Sequence, residues 1–68
     1  MSLRTRFGAK VRKVRLSRGW TQEHLAEKAN VSLNFLNLIE RGQRAPSFDN
    51  LERLAKVLRV AVYELFQP

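Results

Sequence analysis

The chain has 68 residues with 13 lysines and arginines against 6 acidic residues, a formal net charge of +7, and no cysteine. This length fits one small domain, and the lack of thiols excludes a disulfide framework and a thiolate metal site, so stability has to come from apolar packing. No apolar run approaches the roughly 18 residues of a membrane span and the start has no signal-peptide pattern, so we expect a cytoplasmic protein. Its excess positive charge favours a polyanionic partner, above all nucleic acid.

The first predicted helix runs from about Leu3 to Arg18. Its apolar residues recur every three to four positions and form one stripe, made of Leu3, Phe7, Val11 and Val14. Gly19 supplies the left-handed position that ends this helix. Seven cations precede the first acidic residue, and they are Arg4, Arg6, Lys10, Arg12, Lys13, Arg15 and Arg18. Like charges without a counter-charge repel one another, which strengthens the expectation of an anionic partner.

The second and third predicted helices run from about 22 to 29 and from about 33 to 41. Thr21 and Ser32 precede them and have the side chains that cap helix N-termini, and Gly42 ends the third helix. Only three residues separate the two helices. Helices so close in sequence cross at a steep angle and leave one face of the second exposed, which is the arrangement that places a helix in the major groove of DNA.

The tight turn between these helices requires particular residue types. A small side chain is needed where the two backbones approach, and Ala26 stands there. The turn residue needs positive φ, which asparagine tolerates better than any residue except glycine, and Asn30 occupies that place. We therefore predict a helix-turn-helix scaffold formed by Leu25, Ala26, Asn30, Val31, Leu36 and Ile39.

The fourth predicted helix runs from about Phe48 to Leu58, after a loop in which Pro46 disfavours helix and Ser47 provides the cap. Its apolar stripe is Leu51, Leu54, Ala55 and Leu58. A last short helix is predicted from about 62 to 66. No segment shows the alternation typical of strands, so the predicted fold is all-α, a compact globule of five helices. We predict that residues 1–68 form one domain. The alternative for residues 1–3 is a remnant of an expression vector.

Several spaced motifs in this order resemble one known family. They are Trp20-Thr21-Gln22-Glu23, Leu25-Ala26, Val31-Ser32, Ile39-Glu40-Arg41-Gly42, Pro46-Ser47 and Glu64-Leu65-Phe66. From about Phe7 to Phe66 the chain resembles the helix-turn-helix domain of phage repressors and Cro proteins. The resemblance implies a repressor-like fold and a transcriptional regulator that binds double-stranded DNA in a bacterial or phage system, with no cofactor and no small-molecule ligand.

The family's base-reading positions fall on Leu33, Asn34 and Leu38, and Asn37 lies beside them. On a helical wheel, Asn34, Asn37 and Leu38 lie opposite Leu36 and Ile39. Asparagine hydrogen-bonds adenine bidentately, and leucine packs against the thymine methyl group. Polar residues are more usual at these positions, so the two leucines depart from the family pattern. Solvated helix surface is the alternative for the asparagines, and packing is the alternative for the leucines and is favoured for Phe35.

The resemblance also assigns phosphate contacts, an ion pair and a dimer. Expected phosphate-contacting residues are Arg15, Gln22, Ser32, Arg41 and Arg44. Glu40 is expected to pair with Arg15 in a partly buried ion pair. The domains of this family bind palindromic operators as two-fold dimers, and the apolar C-terminal residues Val62, Tyr63 and Phe66 are the predicted homodimer interface. The alternative for these three residues is contact with a further domain.

Enzymatic chemistry is not indicated by the sequence. The single histidine, His24, has no second candidate ligand, so no metal site is predicted. Asp49 and Glu52 lie among cations at the start of a helix, which is typical of dipole and ion-pair partners rather than of acid–base catalysis. The alternatives are a protein-interaction module that uses Leu33, Phe35 and Leu38 to contact a partner, or the DNA-binding part of a longer regulator.

Overall fold

A computed structural model describes residues 2–68 of the chain. Four α-helices follow one another, α1 (Leu3–Ser17), α2 (Gln22–Ala29), α3 (Leu33–Glu40) and α4 (Phe48–Leu58), and a 3₁₀-helix covers Val62–Phe66. The described residues contain no strand. The all-α prediction is confirmed, with the qualification that the fifth helix is 3₁₀ rather than α. Met1, which belongs to the predicted vector remnant, lies outside the described residues.

Each α-helix begins at a hydroxyl side chain that satisfies a free backbone N–H group. Thr21, Ser32 and Ser47 accept from the backbone N–H three residues further on, at 3.0 to 3.1 Å. All three caps were predicted. Ser2 caps α1 in the same way, at 3.2 Å from the Thr5 nitrogen, and this cap was not predicted.

The helix ends use the left-handed backbone region. Asn30 has φ 56° and Arg59 has φ 59°, and these two residues end α2 and α4. The asparagine in the turn was predicted. At Arg59 a side chain occupies a conformation that favours glycine, so the end of α4 is strained. Gly42 has φ 74°, and any side chain on it would also press against the backbone of Thr5.

One apolar core joins all five elements. It consists of Phe7, Val11, Leu25, Ala26, Ala29, Leu36, Ile39, Leu54, Ala55, Leu58 and Leu65. The helices α1 and α3 pack closely where Gly8 meets the carbonyl group of Ile39, with no room for a β-carbon. The predicted stripe on α1 is correct at Phe7 and Val11 but wrong at Leu3, which is 60% exposed in the first turn of the helix.

Within residues 2–68, no helix is both long enough and apolar enough to cross a membrane.

Candidate nucleic-acid interface

The helices α2 and α3 form a helix-turn-helix unit. Asn30 adopts the left-handed conformation, and the Val31 amide donates to the Ala26 carbonyl oxygen at 3.0 Å, which reverses the chain within three residues. Ala26 and Leu25 are buried on α2, Leu36 and Ile39 are buried on α3, and Val31 is half-buried against the core. The residues predicted as scaffold therefore fix the angle at which α3 leaves the body of the protein.

The outer surface of α3 is most open over its first turn. Leu33 is 45% exposed, and Asn34 beside it is also exposed. Asn37 and Leu38, the other two predicted base-reading residues, are half-buried. The structure thus separates the four candidates, because two lie free on the surface and two are partly covered by neighbouring side chains.

A buried ion pair connects α1 to the end of α3. The Nε and Nη2 atoms of Arg15 donate to the two carboxylate oxygens of Glu40 at 2.7 and 3.0 Å, and Nη1 donates to the Trp20 carbonyl oxygen at 2.7 Å. Both residues are only 7% exposed. A bidentate arginine–carboxylate pair fixes distance and orientation together, so α1, α3 and the start of α2 are held in one arrangement.

The burial of Arg15 bears on one of its two predicted roles. This residue was predicted both to pair with Glu40 and to contact phosphate. The structure brings the pair together, but all three guanidinium nitrogens donate within the protein and the side chain is 8% exposed. Three of its five N–H donors are thus used within the protein and little of the side chain is exposed, so Arg15 holds Glu40 in place, while its contact with phosphate stays a prediction.

The carboxylate of Glu40 orients the side chain of Gln22. Its Nε2 atom donates to Oε1 of Glu40 at 3.1 Å, and its Oε1 atom accepts from Nδ2 of Asn37 at 3.4 Å. These two contacts set which end of the Gln22 amide is the donor, and they leave one N–H bond of Nε2 unused. The contact from Asn37 was not predicted, because no sequence pattern reports that an amide on α3 lies within reach of an amide on α2.

The other expected phosphate contacts surround the ends of α3. Ser32, Arg41 and Arg44 are all exposed, although Ser32 Oγ already accepts from the Phe35 amide at 3.0 Å. The guanidinium of Arg44 lies 5.5 Å from the centre of the Phe35 ring, a cation–π distance. Phe35 is half-buried against the core, so packing is its role, and its ring also supports Arg44.

The predicted dimer residues are not equally available. Phe66 is half-buried and stacks on Phe7 with 5.1 Å between ring centres, and Val62 also packs against the core. Tyr63 is 65% exposed. Phe66 and Val62 therefore contribute to the monomer core with part of their surface, and the homodimer interface at these three residues stays a prediction. Phe48 is 85% exposed, and the sequence did not predict this exposure. Phe48 was predicted only as the first residue of α4.

Two helices joined by a short turn, with the second helix exposed over its first turn and fixed by a buried ion pair, define a helix-turn-helix DNA-binding regulator. Known proteins agree with this class. The helix-turn-helix family model (HTH_3) matches residues 11–65, and the chain belongs to this family.

Similar proteins include regulators of several kinds. The control protein C.BamHI of Bacillus amyloliquefaciens is 40% identical over 65 residues, which cover 94% of this chain and 80% of that protein. The transcriptional regulator SinR of Bacillus subtilis is 39% identical over 60 residues, which cover 87% of this chain and 54% of SinR. The restriction-modification controller protein C.AhdI of Aeromonas hydrophila has a similar structure, with a TM-score of 0.88 at 35% identity over 91% of this chain and 94% of that one.

Proposed function

We propose that the protein represses or controls transcription in a bacterial or phage setting by binding a palindromic operator as a homodimer. Each subunit places α3 in the major groove, with its first turn against the base edges. The chain is a binding protein and not an enzyme. Its relatives include one named as a control protein and one named as a restriction-modification controller protein, and we propose the same kind of role for this chain.

One observation carries the proposal. Gln22, at the first position of α2, is held by Glu40 with one N–H bond unused, and Glu40 is in turn held by the buried Arg15. A protein that needed only a stable fold would gain little from a buried charge pair, since apolar residues of similar volume stabilise as well or better. A fixed donor beside an exposed helix is what a DNA backbone contact requires.

The exposed first turn of α3 supplies the base contacts in this proposal. Asn34 hydrogen-bonds the N6 and N7 atoms of adenine, and Leu33 packs on a thymine methyl group. Leu38 extends the apolar contact one turn further along the groove. Asn37, whose amide donates to Gln22, keeps its Oδ1 atom and one N–H bond for the DNA.

The phosphate contacts lie on both sides of this turn. Gln22 and Ser32 stand at the N-termini of α2 and α3, where free backbone N–H groups and the helix dipole favour an anion. Arg41 and Arg44 lie beyond the C-terminus of α3, and the guanidinium of Arg44 lies over the Phe35 ring. Together they would hold the two strands that border the groove.

The homodimer uses the exposed side of the C-terminal 3₁₀-helix. Tyr63 is the large side chain of that helix that its own subunit covers least, at 65% exposed, and Val62 and Phe66 add the parts of their surface that the core leaves exposed. A two-fold axis beside this helix repeats the same patch on both subunits. Half-sites about 34–36 Å apart then face the same side of the duplex.

Selection of bound sites from a pool of random duplexes tests the proposal directly. The expected result is a palindromic consensus with A·T pairs in each half-site, and binding whose log–log salt slope is about −0.9 for each phosphate contact. A selection that yields no consensus, with binding that does not distinguish duplex sequences, would contradict sequence-specific regulation.

One observation favours a second function. Leu33 is a large exposed apolar residue on α3, and such residues also anchor protein partners. In that case the domain is a protein-interaction module. A related alternative is that the domain belongs to a longer regulator, in which α3 also contacts other chains. Leu33→Gln separates the two, because it leaves DNA affinity within a few fold if Leu33 serves a protein partner and changes the selected sequence if Leu33 contacts a base.

A further inference from the structure

A second basic surface lies on α1. Arg6, Lys10 and Lys13 recur at helical spacing and share one face of the helix, with the small Ala9 between them. The same four residues line one shallow depression together with Gln67 and Pro68. We call Arg6, Lys10 and Lys13 the α1 stripe.

The α1 stripe faces away from the recognition helix. Gly8 and Arg15 contact the end of α3, and Thr5 lies against Gly42 just beyond it. These three residues mark the side of α1 on which α3 packs. At about 100° per residue, the α1 stripe lies about 150° around the helix from that side. A straight duplex bound at α3 therefore does not reach it.

Among residues 2–68, no acidic side chain forms an ion pair with the α1 stripe. The helix α1 contains no acidic residue, and across residues 2–68 the ion pair found is that of Arg15 with Glu40. Arg6 donates one N–H bond to the Phe66 carbonyl oxygen at 3.3 Å, so it retains its full charge. Lys13 is exposed and Lys10 half-exposed. Like charges one turn apart repel, and an external anion relieves that repulsion.

We infer that the α1 stripe binds the sugar–phosphate backbone of a second DNA segment, so that one regulator bridges two duplexes. The inference rests on the proposed function, which puts the first duplex at α3. The chemistry of the stripe favours DNA over an acidic protein surface, because protein interfaces are anchored by large apolar or aromatic side chains. The depression that the stripe lines contains no large apolar or aromatic side chain, whereas backbone contacts need only positioned cations.

A two-duplex capture experiment tests the inference. One duplex carries the site obtained by selection and is fixed to beads, and a second, labelled duplex lacks that site. The wild-type protein should retain the labelled duplex on the beads. Lys10→Gln with Lys13→Gln should abolish most of this retention and lower its log–log salt slope by about 2, since two phosphate contacts are lost, while affinity for the single selected site stays within about twofold.

The matched control neutralises two cations elsewhere. Arg53 and Lys56 on α4 lie in a depression that also contains Asp49 and Glu52, so Arg53→Gln with Lys56→Gln removes the same charge from a surface that is already balanced. This variant should capture the second duplex as the wild type does. Equal loss in both variants would mean that net charge alone governs capture, and it would overturn the inference.

Three further results would also overturn it. If the wild type bound the selected site but retained no second duplex, the inference would fail and the proposed function would stand. If capture persisted in the Lys10 and Lys13 variant, a different surface would bind the second duplex. If polyglutamate bound in a manner that depended on Lys10 and Lys13 while capture did not, the partner of the α1 stripe would be an acidic protein. Failure of the proposed function is distinct, because then no selected site exists.

Discussion

Replacement of Glu40 by glutamine removes one negative charge and leaves the shape of the side chain. The Arg15 guanidinium remains 7% exposed but loses its carboxylate partner, whose two oxygens accept from Nε and Nη2. Removing one partner of a buried pair costs about 3–5 kcal/mol. The whole domain is stabilised by only about 3–10 kcal/mol at 0.05–0.15 kcal/mol per residue, so this change removes a large share of its stability.

Thermal and urea unfolding followed by circular dichroism measure the effect. At about 4–8 °C for each kcal/mol in a domain of this size, even the lower bound of 3 kcal/mol lowers Tm by about 12–24 °C. The urea midpoint should fall while the slope m stays the same, because the unfolded chain exposes the same surface. A Glu40→Gln protein with the Tm of the wild type would refute the reasoning that the buried charge depends on its partner.

A double variant separates stability from function. Arg15→Met with Glu40→Leu replaces the pair by apolar residues of similar size, and stability should return to about the wild-type value. Gln22 then loses the acceptor that holds its Nε2 atom. We expect operator affinity to fall by about 1.5–3 kcal/mol, the worth of a hydrogen bond to a charged group, or roughly 10- to 150-fold in Kd. Full affinity in this variant would mean that Gln22 needs no positioning.

Three more substitutions test other parts of the structure. Asn34→Ala should cost about 1–3 kcal/mol on the selected site and relax the preference at one base pair; an equal loss on every sequence in a panel of single-base variants would make Asn34 a scaffold residue. Arg59→Gly should raise the free energy of unfolding by about 0.5–1 kcal/mol. Relief of the left-handed conformation at φ 59° stabilises the folded state, and this gain exceeds by about that amount the entropy that glycine adds to the unfolded state. An unchanged or lower Tm would contradict the strain at this helix end. Tyr63→Glu should convert a dimer to a monomer in sedimentation equilibrium with little loss of monomer stability, with Tyr63→Phe as control, and a Tyr63→Glu dimer of wild-type affinity would place the interface elsewhere.

The helices and their ends were predictable because their causes are local. Thr21, Ser32 and Ser47 cap the helices that follow them, and Asn30 adopts the left-handed turn. Each of these outcomes depends on a side chain and the backbone within a few residues of it. A single sequence contains all the information that such short-range physics needs.

The contacts within the site were less predictable because they depend on how helices pack. Periodicity places Asn37 on the outer side of α3, but the amide reaches Gln22 on α2 only because α3 crosses at one particular angle. The same limit applies to Phe48, whose exposure follows from the position of α4 against its neighbours. Spacing along one helix defines a face and does not define what that face meets.

The surroundings of the leucines on α3 indicate how this helix would contact DNA. Leu33 is exposed beside Asn34 on the first turn, whereas the polar groups nearest to them, on Gln22 and Asn37, are bound to each other or to Glu40. A surface of this kind has few free hydrogen-bonding side chains, so direct base contacts alone give limited discrimination. Thymine methyl contacts and the shape of the groove then have to supply the remainder. Positioned backbone contacts such as that of Gln22 would add specificity here, because they hold the duplex in one register against the apolar side chains.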